Sequence, residues 1–220
     1  MRTHCNELIP YIPSKDYDKI AYEFLEKFYP EALKSPMPVP IVNIAKDKIG
    51  LNIQNVCLSE ELNIYGMTVF TDGFVDVYDT KENLYDKRFF KAKTILIDPE
   101  VVKQTNIGCR NNTIAHECVH WYKHRYYYKM QQQKFLKYAK YCKCYIDQMP
   151  DDSTQNNIIE AQANGIAPRI LMPRNTFIEV AENYRVSNCQ DNSNIITTLA
   201  NFFCVSKQSV KIRLKECCIQ

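Results

Sequence analysis

Apolar residues recur at helical spacing from Asp16 to Tyr29, where Tyr17, Ile20, Phe24 and Phe28 fall on one face. Asp16 is placed to cap that helix and Pro30 to end it. Ser35-Pro36-Met37-Pro38-Val39-Pro40 reads as a stiff extended linker. A short helix follows over Ile41 to Ile49, closed by Gly50. The pattern then changes to strand-like runs at Leu51 to Cys57, Gly66 to Thr71, Phe74 to Tyr78 and Thr94 to Ile97. Thr71-Asp72-Gly73 has the composition of a hairpin turn between the second and third runs, and Asp98-Pro99 ends the fourth.

From Asn111 onward the pattern is helical. One helix runs from Asn111 or Asn112 to Arg125 or beyond, and another from Asn157 to Met172, stopped by Pro173. Three more cover Asn175 to Tyr184, Asn192 to Phe203 and Ser206 to Cys217, the last with Ser206 as its N-cap. Residues 126 to 157 are rich in Tyr, Lys, Gln and Cys; they begin with helical character and reach a loop at Pro150-Asp151-Asp152-Ser153. Strands first and helices later predict an α+β fold, with a small mixed or antiparallel sheet in the N-terminal half.

Composition narrows this picture only slightly. The 220 residues are 45% hydrophobic and 24% charged, as in ordinary globular proteins, and can bury a sizeable core as one large domain or two small ones. A net charge of +3 gives no reason to expect direct binding to nucleic acid. The first residues lack the apolar run of a signal peptide, and no segment reaches the roughly 18 apolar residues of a membrane span. A cytoplasmic protein is therefore expected, with its ten cysteines as reduced thiols, mostly small buried residues. No C-x-x-C pair occurs, and the Cys142-Lys143-Cys144 spacing does not match common zinc knuckles.

The chemistry sits in one helix. His116-Glu117-Cys118-Val119-His120 is an H-E-x-x-H motif, and three of the four histidines lie between His116 and His124. Residues four apart on a helix lie one above the other, so His116 and His120 can share one zinc ion. Glu117 is then placed to act as the base toward water at that ion. A solvated polar face could carry the same letters by accident. The flanking Thr113-Ile114-Ala115 and Cys118-Val119 instead predict a buried helix, where unpartnered polar groups would cost several kcal/mol each.

A catalytic zinc needs a third protein ligand. His124 lies a further turn along, out of reach on a straight helix, and Trp121-Tyr122-Lys123 contains no glycine break. Asp151 and Asp152 sit in the expected loop. Glu160 is favoured, because Ala161, Ala163 and Gly165 let its helix approach the motif helix closely. Tyr126, Tyr127, Tyr128 and Arg169 all remain as donors to an oxyanion. Trp121 is expected to pack behind the helix, and Cys118 in the core.

These residues resemble a known family. Thr113 to Trp121, then Glu160-Ala-Gln-Ala163-Asn164-Gly-Ile-Ala167-Pro-Arg-Ile-Leu171-Met172-Pro173, are similar to the ImmA/IrrE metallo-endopeptidases. Phe203-Cys-Val205-Ser206 with Arg213-Leu214 resembles the family's ending, and the likeness spans roughly residues 90 to 216. Ile9 to Asp79 resembles a longer variant from Gram-positive bacteria and their mobile elements. The resemblance implies a zincin-like helical core and a zinc centre of His116, His120 and Glu160, with Glu117 catalytic. It also implies an anti-repressor that cleaves a DNA-binding repressor of the helix-turn-helix Xre type. One domain over 1–220 is expected, with an N-terminal α/β portion (1–90), a zinc-site core (91–190) and a C-terminal helical portion (191–220). Glu160 follows His120 by forty residues, and the intervening Tyr/Lys/Cys segment looks like an insertion. A metal-containing regulator that binds a repressor or DNA through its last helices, without cutting, is the alternative.

Overall fold

The computed structural model describes residues 9, 11–104, 106–130, 138–145, 155–187 and 192–219. Helix α1 (Tyr17–Phe28) buries Ala21, Phe24 and Leu25, with Tyr17, Ile20 and Phe28 packed at the margin of the same core. Asp16 stands at its N-cap position, but its side chain makes no capping hydrogen bond. Pro30 leads into α2 (Glu31–Lys34), and an extended stretch leads to α3 (Ile41–Asn43), which widens into π-type turns over Ile44–Ile49. Gly50 closes this helix at φ 77°, a left-handed conformation that glycine adopts without a Cβ clash.

Strands β1 (Asn52–Asn55), β2 (Ile64–Val69), β3 (Gly73–Asp79), β4 (Leu84–Phe90) and β5 (Thr94–Ile97) follow. Asp98 then starts α4 (Pro99–Gln104), accepting from the amide N–H groups of Glu100 and Leu58. The motif helix α5 (Ile107–Val119) begins earlier than its sequence pattern indicates, because Asn106 caps it by accepting from the Cys109 N–H. It continues through a π-type turn over His120–His124 into α6 (Arg125–Met130). Beyond lie β6 (Tyr141–Tyr145), α7 (Gln155–Leu171), α8 (Arg174–Ser187), α9 (Asn192–Phe203) and α10 (Lys207–Glu216), the last capped by Ser206. Among the described residues no helix is long and apolar enough to cross a membrane. Cys57, Cys109, Cys118, Cys142, Cys144, Cys204, Cys217 and Cys218 are free thiols.

The fold is α+β with a mixed sheet of order β1-β5-β2-β6. The β1–β5 pair is parallel, while β5–β2 and β2–β6 are antiparallel. The hairpin expected at Thr71-Asp72-Gly73 does not form. Both edges of β2 are already taken, by β5 and β6, so β3 leaves the sheet and pairs with β4. Strand β4 escapes the hydrophobic pattern because it is exposed along its length up to Phe90, leaving no in-out alternation to read. Nor is the sheet confined to the N-terminal half, since β6 comes from beyond the motif helix.

Each sheet face has its own core. Ile64, Met67, Val69 and Leu96 meet Val75, Val77 and Phe90 of the β3–β4 ladder. On the other face Ile95, Ile97 and Phe70 share a core with Ile114, Ala115 and Cys118 of α5 and with Ile159, Ala163, Ile166 and Ala167 of α7. The small residues near Glu160 serve two neighbours. Ala163 and Ala167 are buried in this core, while a side chain on Gly165 would run into the Tyr17 ring of α1. Arg213 on α10 is also buried. Its guanidinium donates to the Met172 carbonyl, to Asp18 of α1 and to Glu216, tying three helices together.

Gly66 sets how closely the sheet approaches the motif helix. A Cβ there would lie 2.7 Å from Thr113 Cγ2 and 3.1 Å from Glu117 Oε1. Gly66→Ala is expected to lower stability by about 1–3 kcal/mol, the usual cost of overpacking. Urea unfolding reads this directly, and an unchanged midpoint would mean the two layers have slack.

Candidate metal centre

His116, near the end of α5, and His120, at the start of the π-type turn that continues it, lie one helical turn apart, both almost fully buried. Their Nε2 atoms are 2.8 Å apart. The Glu160 carboxylate, from α7, straddles them, with Oε2 3.1 Å from His116 Nε2 and Oε1 3.2 Å from His120 Nε2. One donor atom from each of the three lies within 4.8 Å of the others. Two ring nitrogens and a carboxylate converging in this way repel or strain one another unless a proton or cation lies among them. Around a tetrahedral zinc, neighbouring donors sit roughly 3.3 Å apart, so the set fits such an ion closely. Asp151 and Asp152, the other carboxylates weighed, lie outside the described residues.

Charge in the cluster is uneven. Burial opposes ionisation of Glu160, yet adjacent His120 and His116 hold its carboxyl well below the usual range. Burial lowers His120. His116 ends well above the usual imidazole value, since Cys144 and Glu160 outweigh its burial. Glu117 lies beside them, fully buried. Burial pushes its carboxyl up to about 8, against the opposing pull of His116 and Thr68. The Thr68 hydroxyl, from β2, donates to Glu117 Oε2 at 2.6 Å, while Oε1 is buried without a hydrogen-bond partner.

His124 sits behind His120 and outside the donor group. Its Nε2–H donates to Gln162 Oε1 at 2.8 Å, and its Nδ1 lies 3.1 Å from His120 Nδ1. Burial and the neighbouring His120 push its imidazole down to about 3, so it is neutral near pH 7. A neutral ring donating from Nε2 must accept at Nδ1. His120 therefore donates from Nδ1, and its Nε2 lone pair points at His116 and Glu160. The assignment follows from the chain of partners. Gln162 and His124 thus orient a donor of the cluster, as outer partners of metal-bound histidines commonly do.

Sequence reasoning missed Thr68, Gln162, Cys142 and Cys144 as members of this neighbourhood. Cys144 groups with His116 and Glu117 within 4.8 Å, and Cys142 touches Glu160 and His120. Their signal was the alternation in Tyr141-Cys142-Lys143-Cys144-Tyr145, which puts both thiols on one face of a strand. Of the oxyanion candidates, Arg169 is engaged with Asp18 and Glu216, and exposed Tyr126 with Arg125. Tyr127 is buried, and Tyr128 reaches Cys142 with a phenol that burial holds protonated. Trp121 stacks on Phe70 behind the helix, and Cys118 is fully buried, as expected of core residues.

The model of the IrrE N-terminal-like domain, Peptidase_M78, matches residues 66–215, from Gly66 in β2 to Lys215 in α10. No curated protein matches the chain.

Because Glu160 offers a donor atom and Gln162 only orients one, their substitutions should differ in degree. Gln162→Leu is expected to weaken metal affinity about 10–100-fold, and His124→Ala by a similar factor. Glu160→Ala should cost far more. Competition with a chromophoric chelator measures all three, and equal losses would point to a different third donor.

Proposed function

The chain belongs to the Peptidase_M78, IrrE N-terminal-like, family of metallopeptidases, and from that premise we propose that it is a zinc-dependent endopeptidase that cleaves a helix-turn-helix repressor of the Xre type. The observation that carries the enzymatic half is the meeting of His116, His120 and Glu160 beside the buried carboxylate of Glu117. Two imidazoles and one carboxylate are the donor set of zinc hydrolases that keep one position open. When bound, zinc supplies Lewis acidity toward a carbonyl and toward water.

The residues of the chain do the rest. Thr68 holds Glu117 Oε2, which leaves Oε1 to accept a proton from water and return it to the leaving amine nitrogen. Burial keeps this carboxylate basic enough for the task. Tyr128, protonated and beside the cluster, is the best-situated oxyanion donor of the four considered. The repressor half rests on the resemblance to ImmA/IrrE anti-repressors, which act in the bacterial cytoplasm on regulators of mobile elements or stress responses. A non-proteolytic regulator is the second reading. Exposed Lys207, Lys211 and Lys215 on α10 favour it, although Val210 and Arg213 of that helix pack inward.

Glu117→Gln separates the two readings. Co-expressed with a repressor of the Xre type, the parent protein is expected to yield a truncated repressor band. The variant should cut about 10²–10⁴-fold more slowly while retaining about one zinc per chain. Relief of repression by the variant, with the repressor at full length on a gel, would sink the protease reading.

A further inference from the structure

A thiol stands against one side of the donor cluster, beside His120 and Glu160, without a part in the chemistry above. Cys142 Sγ donates to Glu160 Oε1 at 2.7 Å and lies 3.8 Å from His120 Nε2. It is buried, as are both histidines. Around a tetrahedral zinc with Zn–S near 2.3 Å and Zn–N near 2.0–2.1 Å, sulfur and nitrogen on adjacent vertices sit about 3.5 Å apart. Cys142 therefore stands close to where a neighbouring ligand of His120 would stand.

Strand pairing holds it there. On β6, Cys142 is opposite Thr68, the residue that fixes Glu117, and Cys144 is opposite Gly66. Cys144 lies on the side of His116 and Glu117, whereas Cys142 lies on the side of Glu160 and His120. The same pairing has a second effect. Strand β6 takes the edge of β2 that β5 leaves free, the kind of edge on which an extended peptide docks by main-chain hydrogen bonds.

Building on the zinc reading, we propose that Cys142 is a fourth protein ligand and that β6 is an inhibitory strand that keeps the peptidase latent. On loading, the thiol releases its proton to solvent and a sulfur lone pair fills the position that water would hold. Release reverses this balance: a proton returns to sulfur, water enters, and β6 leaves the edge of β2. No electron changes hands, so no oxidant or reductant is needed. Three protein ligands make a centre of open type, and a fourth closes it.

Cobalt(II) in place of zinc tests this. The loaded parent protein should show a sulfur-to-cobalt charge-transfer band in the near ultraviolet. Cys142→Ser should lose that band while still binding about one cobalt per chain, and Cys144→Ser should keep it. Acetohydroxamate needs open coordination positions. It should perturb the visible spectrum of Cys142→Ser at concentrations at least about tenfold lower than it needs for the parent, as expected when a closed site opens. Stoichiometric cobalt without the band in the parent overturns the thiolate ligand and leaves the metal site standing. A band that follows Cys144 instead also overturns it. Failure of the parent to bind cobalt or zinc at all removes the metal reading and this proposal together. Circular dichroism of each variant separates loss of a ligand from loss of fold.

Discussion

Three fully buried ionisable side chains, His116, Glu117 and His120, and a partly buried fourth, Glu160, are packed against one another at an apolar core, and the rest of the fold is arranged around keeping them there. Burying such groups without partners costs several kcal/mol each. The chain offsets that cost in layers. Glu160 straddles both ring nitrogens, Thr68 holds one oxygen of Glu117, and the His124–Gln162 pair occupies the far nitrogen of His120. What is left over is informative. Glu117 Oε1 and His116 Nδ1 are buried without partners, and the two Nε2 atoms face each other at 2.8 Å. An apolar core has no use for such an arrangement, whereas a cation among the donors relieves the crowding.

Bringing these groups together demands close contact between layers that differ in kind. The sheet must approach α5 closely enough for Thr68 to reach Glu117, and glycine at 66 removes the side chain that would collide with Thr113. Helix α7 must reach the same place from the opposite side, and its alanines allow it. Arg213 then binds α10 to α1 and to the end of α7, so the C-terminal helix acts as a clamp on the helix that carries Glu160. The R-L ending of the motif is thus part of the support for the site, although it lies far from the metal donors along the chain.

Much of this was legible in the sequence, and the reason is periodicity. His116 and His120 announce themselves by the four-residue repeat of a helix, and Glu160 by the small residues that surround it. The helices of the C-terminal half appear within a few residues of their predicted bounds, because amphipathic spacing, Pro173 and Ser206 mark them locally. Pairing between distant strands leaves no such local mark. The turn at Thr71-Asp72-Gly73 is a good hairpin turn in isolation, yet β2 has no free edge to offer β3. That fact depends on residues 141–145, some seventy positions away. The same non-local pairing hid Cys142 and Cys144, since only the register of β6 on β2 turns an ordinary Tyr-Cys-Lys-Cys-Tyr run toward the metal donors.

If Glu117 is the base of the peptidase proposed above, its zero exposure poses a physical difficulty, because a scissile peptide must reach the donor set and Glu117 must reach water. Strand β6 is the element whose removal answers it. Helices α5 and α7 cannot part without breaking the donor set, and β2 cannot leave without freeing Glu117 from Thr68. Strand β6 is the last strand of the four-stranded sheet and pairs there with β2 alone, although the residues just before it also bond to Phe70, Thr71 and Phe74. On the proposal above, its departure would open the cluster without drawing on the elements that carry His116, His120 and Glu160. The edge it vacates on β2 can then take an extended peptide in the same main-chain pairing. Strand β6, which lies within the segment that looked in sequence like an insertion, would then be both the cover of the site and the placeholder for its substrate. Selectivity follows from the same geometry. If Cys142 is a ligand as proposed, a substrate would have to displace both a paired strand and a coordinated sulfur, which would favour a protein that contributes binding surface beyond the scissile bond over a random unfolded chain.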